Sequence, residues 1–141
     1  ILIGLVGSEM CIRDRGYMVL GLGCDLTDVE RIKKALKQKG FKERVFTAEE
    51  IAYCTGTHGD KNESYAARFA AKEAFLKALG TGLRGGRLTE ITVTNDALGK
   101  PQIKLTGYFA ELAAEKGVTA IQVSLSHIKT TAMAVVLLET Q

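Results

Sequence analysis

The 141-residue chain reads as a single α+β domain, a mostly antiparallel sheet packed against a long central helix. Three observations predict this. The periodicities run strand, helices, two strands, helix, two strands, and paired strands with helices between them favour antiparallel pairing. Residues 64–79 form a strong helix, long enough to serve as the central element. No strand passes through a Gly-x-Gly-x-x-Gly or Walker sequence into a helix, which argues against the common nucleotide-binding folds.

Each element has a local cause. Residues 19–24 are a short apolar run whose glycines admit another backbone, and Asp25 follows at its end. Thr27 or Asp28 caps a helix to about Gln38, stopped by Gly40. Val29, Ile32, Ala35 and Leu36 make its buried face, with Arg31, Lys34 and Lys37 toward the other. Residues 41–46 are a turn or short helical piece. Thr47 and Glu50 form a capping box for a helix ending near Tyr53 or Cys54, and a polar loop covers 56–62. In the main helix, Ala67, Ala70, Ala71, Ala74 and Ala78 allow close packing, and Gly80 is its stop. Gly82, Gly85 and Gly86 give a flexible loop. Strands follow at 89–94 and 102–106, joined by a turn at 95–101. A helix at 107–116 is closed by Gly117, and strands at 120–125 and 131–139 flank residues 126–129.

Composition bounds the function. Apolar content of 46% and charged content of 25% are those of a soluble globular protein with a real core. No apolar run approaches the roughly 20 residues of a bilayer span, so no membrane partner is expected. Cys11, Cys24 and Cys54 are odd in number and scattered. They argue against a disulfide framework or zinc site and favour a reducing, cytoplasmic setting. Cys24 reads as a small buried apolar residue. The net charge of +3 is mild, yet Arg31, Lys33, Lys34, Lys37, Lys39, Lys42 and Arg44 cluster with only Glu43 against them. Such a segment favours an acidic partner. Residues 1–17 have no clear period, no cap and no signal-peptide pattern. They resemble translated adapter sequence, with a genuine flexible extension as the alternative, and the domain is taken as 18–141.

The segment from Arg68 to Gly82 has two readings. It is an ordinary surface helix with a glycine cap, its Glu73–Lys77 and Arg68–Lys72 pairs one turn apart. Or its carboxylate holds a cation, its basic residues hold phosphate, and the turn beside them lets a polyphosphate approach. Asp25 divides the same way, as a helix cap or as a carboxylate at the rim of a sheet. Together, Asp25 and Glu73 with phosphate oxygens and water complete the octahedral oxygen shell that Mg²⁺ requires. His127 is a structural or exposed histidine, or a hydrogen-bond donor and proton shuttle in a phosphate site. Asp96 and Gly99-Lys100-Pro101 form a turn by composition, while His58 and Asp60 carry no motif.

Taken in order, Gly21-Leu-Gly-Cys-Asp25, Arg31, Arg68-Phe-Ala-Ala-Lys-Glu-Ala-Phe-x-Lys77, Gly80-Thr-Gly82, Gly99-Lys-Pro101 and Ser124-Leu-Ser-His127 resemble the holo-acyl-carrier-protein synthase family. These are small 4′-phosphopantetheinyl transferases. The Arg-Phe-x-x-Lys-Glu block with the upstream Gly-x-Asp is specific, and Cys24 departs from the Ile, Val or Thr expected there. The resemblance implies transfer of the phosphopantetheine arm of coenzyme A to a serine of apo acyl carrier protein. The products are holo carrier protein and adenosine 3′,5′-bisphosphate, in fatty acid biosynthesis. It implies Asp25 and Glu73 as catalytic Mg²⁺ ligands, with Glu73 or a held water as the base. It also implies Arg68, Lys77, Gly80, Thr81, Gly82, Pro101 and His127 around coenzyme A. Arg31 and Lys34, then Lys37 and Arg44, would dock the acidic carrier protein. Homotrimers with coenzyme sites between subunits are a further implication. A nucleic-acid-binding domain is disfavoured: the basic segment has no interleaved aromatics beyond Phe41 and Phe46, and the chain has no Trp. A different Mg²⁺-dependent phosphohydrolase remains the third reading.

Overall fold

The structure, a computed structural model, describes residues 18–141, so the suspected foreign segment 1–17 lies outside the described residues. The main sheet is antiparallel in the order β1 (Met18–Asp28), β7 (Thr131–Thr140), β6 (Ala120–His127). A separate hairpin, β4 (Ile91–Asn95) with β5 (Pro101–Leu105), lies beside β6. A two-residue-per-strand ladder, β2 (Thr55–Gly56) with β3 (Gly59–Asp60), occupies part of the expected polar loop. The helices are α1 (Val29–Leu36), α2 (Phe41–Val45), α3 (Ala48–Cys54), α4 (Asn62–Leu79) and α5 (Gly107–Glu115). The expected α+β class with a central helix is the one found.

The first strand runs further than its apolar run. Asp25, Thr27 and Asp28 are ladder residues opposite Ala134, Ala132 and Thr131. Asp25 is therefore not at the strand end, because β7 offers a full-length partner that overrides the poor strand propensity of Asp. For the same reason β6 continues through His127, opposite Ala132. The residue that caps α1 is Asp28, whose carboxylate accepts from the Glu30 amide at 2.9 Å, and not Asp25 or Thr27.

Period-two alternation places Gly21, Gly23, Asp25 and Thr27 on the inward face of β1, level with the buried Leu138, Val136, Ala134 and Ala132. Across this face runs α4, about 27 Å long. A Cβ at Gly21 would lie 2.0 Å from the Ala78 carbonyl oxygen, and one at Gly23 would lie 2.0 Å from that of Ala74. Strand and helix backbones thus touch directly, at Ala74 and Ala78, two of the five alanines expected to admit a neighbour. Gly80 ends the helix with φ 82°, as a left-handed stop should.

Two apolar clusters lie along α4. One joins Phe75 and Leu79 to Ile91, Val93, Phe109, Val136 and Leu138. The other joins Tyr65 and Ala66 to Val29, Ile32, Phe46 and Cys54 beneath α1–α3, where burial pushes the Cys54 thiol up to about 11. The loop after α4 is not merely flexible: a Cβ at Gly86 would meet the Phe109 ring at 2.4 Å, so this glycine is there for close packing.

Between the clusters sits a buried ion pair. Lys72 and Glu50 are both 0% exposed, with Nζ to Oε1 at 2.7 Å. Lys72 also donates to the carbonyls of Leu88 and Ile91, and Glu50 accepts from the Val93 and Thr47 amides. Burial pushes the Lys72 ammonium down and the Glu50 carboxylate opposes it. Lys72 is therefore no i,i+4 partner of Arg68 and no phosphate ligand. It ties α3 and α4 to β4.

The outward face of the main sheet is apolar along β1 and β7, with Gln122, Ser124 and Ser126 polar on β6, and is exposed in the single chain. Leu22, Leu26 and Met133 are 66%, 71% and 42% exposed. Cys24 shares this face and is exposed, contrary to the expectation that it is buried, because it alternates with the inward Gly23 and Asp25.

Gly23→Ala tests the backbone contact. Pushing β1 off α4 is expected to cost roughly 1–3 kcal/mol or more, lowering the thermal midpoint by about 5–10 °C. Circular dichroism melting checks it, and a variant as stable as the parent would contradict the contact.

Candidate active site

Asp25 and Glu73 arrive from different elements and line one cleft of about 710 Å³. Asp25 comes from β1, held to α4 by the glycine contacts. Glu73 comes from α4, one residue before Ala74, the residue that Gly23 touches. The far wall of the cleft is α1, with Arg31, Lys34 and Ala35, and Phe41 and Phe69 add aromatic surface. A second pocket of about 360 Å³ lies on the other side of Glu73, lined also by Lys77, Gly80, Gly82 and Leu83. Glu73 is thus the residue common to both spaces.

The charges around Asp25 are specific. Lys77 Nζ donates to Asp25 Oδ1 at 3.1 Å and to the Cys24 carbonyl at 3.1 Å. The expected Glu73–Lys77 bridge is replaced by this Asp25–Lys77 pair, because β1 brings a carboxylate within reach of the lysine. Thr27 Oγ1 donates to Asp25 Oδ2 at 2.8 Å. Hydrogen bonding to Asp25 raises the Lys77 ammonium. Burial, then the neighbouring Asp25 carboxylate, push the Glu73 carboxyl up, while Lys77 and Arg31 pull it back.

This donor set fits a hard divalent cation. Two carboxylates that repel each other face a solvent-open cleft, and a cation between them relieves that repulsion. Among the described residues no cluster of three or more Asp, Glu, His or Cys side chains surrounds such an ion. Asp25 and Glu73 would therefore supply only part of an oxygen shell, leaving room for phosphate oxygens and water. A closed structural zinc site needs four protein ligands and does not fit.

The remaining expected residues separate into groups. Gly80, with φ 82°, and Gly82, with φ 67°, expose backbone at the second pocket, and Thr81 lies between them. Arg31 and Lys34 line the main cleft, while Lys37 and Arg44 are exposed outside it. Arg44 borders a different groove with Leu83 and Arg87. Lys42, part of the basic segment, is withdrawn into a pair with Asp60 at 2.9 Å.

Arg68, Pro101 and His127 line neither pocket. Arg68 is five residues from Glu73, about 140° around the helix. Its guanidinium is buried, stacks 4.0 Å from the centre of the Tyr53 ring and donates to Asn95 Oδ1. Asn95 pairs with Pro101 across the hairpin, which places Pro101 beside this group. Among the described residues the buried Arg68 Nε–H has no partner, a donor that an anion would satisfy. His127 sits two strands from Thr27, about 10 Å, at the same end of the sheet.

Thr27, Phe69 and Leu83 line the pockets without a site signal of their own in the sequence reading. Thr27 stands two positions from Asp25, so a strand running through Asp28 puts both on one face. Phe69 and Leu83 carry no such signal.

Comparison with known proteins gives the family. Residues 21–136 match the family model described as the 4′-phosphopantetheinyl transferase superfamily. The holo-[acyl-carrier-protein] synthase of Treponema denticola is 48% identical over 122 residues, 86% of this chain and 99% of that protein. The crystal structure of the Neisseria meningitidis holo-[acyl-carrier-protein] synthase aligns with a TM-score of 0.76 at 35% identity, covering 86% of this chain and 98% of that one. A Bacillus anthracis synthase in complex with CoA (3′,5′-ADP) aligns with a TM-score of 0.71 at 34% identity, covering 88% and 99%. The chain belongs to the 4′-phosphopantetheinyl transferase superfamily and, within it, to the holo-[acyl-carrier-protein] synthases.

Proposed function

We propose that this enzyme transfers phosphopantetheine from coenzyme A to the serine of an apo acyl carrier protein at the Asp25–Glu73 cleft, with Mg²⁺, in fatty acid biosynthesis in the cytoplasm. The observation that carries the site is the meeting of two carboxylates from separate elements in a cleft walled by a basic helix. Relatives over nearly their full length are named for this reaction.

Asp25 and Glu73 would hold the cation, and Mg²⁺ bound by them would supply neutralisation of phosphate charge. Lys77 sits on Asp25 Oδ1, beside the second pocket, and its long, largely exposed side chain can turn to a phosphate oxygen. Gly80, Thr81 and Gly82 bring backbone to the nucleotide. Glu73, directly or through a water it holds, accepts the serine proton; its raised carboxyl pKa suits that role. The serine oxygen then bonds to the phosphorus nearer the pantetheine. The bond from that phosphorus to the bridging oxygen breaks, and adenosine 3′,5′-bisphosphate leaves. Alignment and charge neutralisation supply most of what such a step needs.

Arg31 and Lys34 face the cleft from α1 and receive the acidic carrier protein, with Lys37 and Arg44 further out. The working form is a homotrimer. Its support is the bare outward face bearing Leu22, Leu26 and Met133, which a neighbouring subunit would cover. A second support is that Arg68, Pro101 and His127 lie outside the cleft of their own chain. A coenzyme site between subunits lets such residues serve a neighbour's cleft.

Incubation with coenzyme A, Mg²⁺ and an apo carrier protein is expected to add one phosphopantetheine to the carrier by mass spectrometry; no mass gain on a competent carrier overturns the reading. Asp25→Ala and Glu73→Ala should each lower the transfer rate by at least about 100-fold with the thermal midpoint little changed, and near-parent rates would remove the cation assignment. Arg31→Glu should weaken carrier binding mostly through association rate and mostly at low salt, checked by stopped-flow or surface binding at two ionic strengths. Light scattering should give three times the chain mass, and a monomer at micromolar concentration would refute the trimer.

A further inference from the structure

On the inward face of β1, Gly21 and Gly23 are explained by contact with α4 and Asp25 by the cleft. Thr27 is not explained by either. It is 6% exposed, at a strand position where Val or Ile would fill the space without a polar group. A buried hydroxyl is costly unless hydrogen-bonded. The cap of α1, one role open to it, is taken by Asp28. Among the described residues its side chain has one hydrogen bond, to Asp25 Oδ2 at 2.8 Å.

We infer that Thr27 is a positioning residue that fixes the Asp25 carboxylate toward Glu73 for the divalent cation, an inference that rests on the function proposed above. An ionised carboxylate only accepts, so the Thr27 hydroxyl must donate, and it occupies one lone pair of Oδ2. The other donor to Asp25 is Lys77, on Oδ1. The two donors differ in permanence. Lys77 has a long side chain that is 57% exposed, and its ammonium competes with a cation for the same carboxylate. Thr27 is β-branched, stiff at χ1, buried and on the same strand two residues along. When a cation displaces Lys77, the Thr27 bond remains and keeps the carboxylate from rotating away from the cleft. Residues that orient a ligating side chain in this way typically contribute 10- to 100-fold in metal affinity.

The test uses Mn²⁺, a paramagnetic stand-in for Mg²⁺, titrated by electron paramagnetic resonance with coenzyme A present and the carrier protein left out. Thr27→Val, which keeps the shape and removes the hydroxyl, is expected to weaken Mn²⁺ binding about 10-fold. Thr27→Ser, which keeps the hydroxyl, should stay near the parent. Thr27→Ala must show the same loss as Val, which guards against a packing fault peculiar to Val. With carrier added, the Mg²⁺ concentration for half-maximal transfer should rise in step while kcat at saturating Mg²⁺ stays near the parent value. A merely structural role would instead lower the thermal midpoint and leave the metal dependence alone. Unchanged Mn²⁺ affinity in the Val and Ala variants, or a Ser variant as weak as they are, overturns the inference. A parent protein that binds no Mn²⁺ overturns it together with the cation site. Absent transfer with the Mn²⁺ differences intact removes the proposed reaction and leaves the positioning role standing.

Discussion

The direct contact between β1 and α4 governs the rest of the molecule. Two glycines let a strand lie against helix carbonyls with no side chain between them. That closeness allows Asp25 and Glu73 to share a cleft and Lys77 to reach across to Asp25. A side chain at Gly21 or Gly23 would collide with those carbonyls and push β1 off α4. The site is thus a by-product of backbone packing, and its geometry inherits the rigidity of a closely packed interior.

The central helix distributes its charged residues among unlike environments. Lys72 is sealed with Glu50 and holds α3 and β4 in place. Arg68 is buried against Tyr53 and Asn95, with one donor unmet among the described residues. Glu73 is half-buried between two pockets, and Lys77 stands largely in solvent. These four lie within ten positions, yet one is structural, one is a buried cation on the far side, and two line the pockets. A buried pair such as Lys72–Glu50 is weak evidence of net stabilisation, but leaving either charge unpaired there would be strongly unfavourable. Both partners are therefore constrained by the fold and not by the reaction.

The local rules that depend on neighbours in sequence were legible. The capping box at Thr47 and Glu50, the left-handed stop at Gly80, and the amphipathic split of α1 appear as expected. So does the paired-strand order, because turn chemistry and period-two alternation need only adjacent residues. What was missed concerns distant partners. Glu50 looked like a helix cap and is also the counter-charge of a lysine 22 residues away. Cys24 reads as core because cysteine is a small apolar residue, but alternation turns it outward. Asp25 looked like a strand end because Asp disfavours strands, but β7 pairs beyond it.

The class of fold, the helix stops and caps, the candidate carboxylates Asp25 and Glu73, and the basic face of α1 can all be read from the residues in order. Those follow from propensity, periodicity and residue chemistry, which act over a few positions. Which charges face one another depends on how distant segments pack. That packing gave Lys77 to Asp25, Lys72 to Glu50 and Thr27 to the Asp25 carboxylate, and it set Arg68 on the far side of the helix. The reason is physical: ion pairs and hydrogen bonds depend on separations of a few ångströms between segments far apart in the chain. Those separations are fixed by how closely β1, β7 and α4 pack.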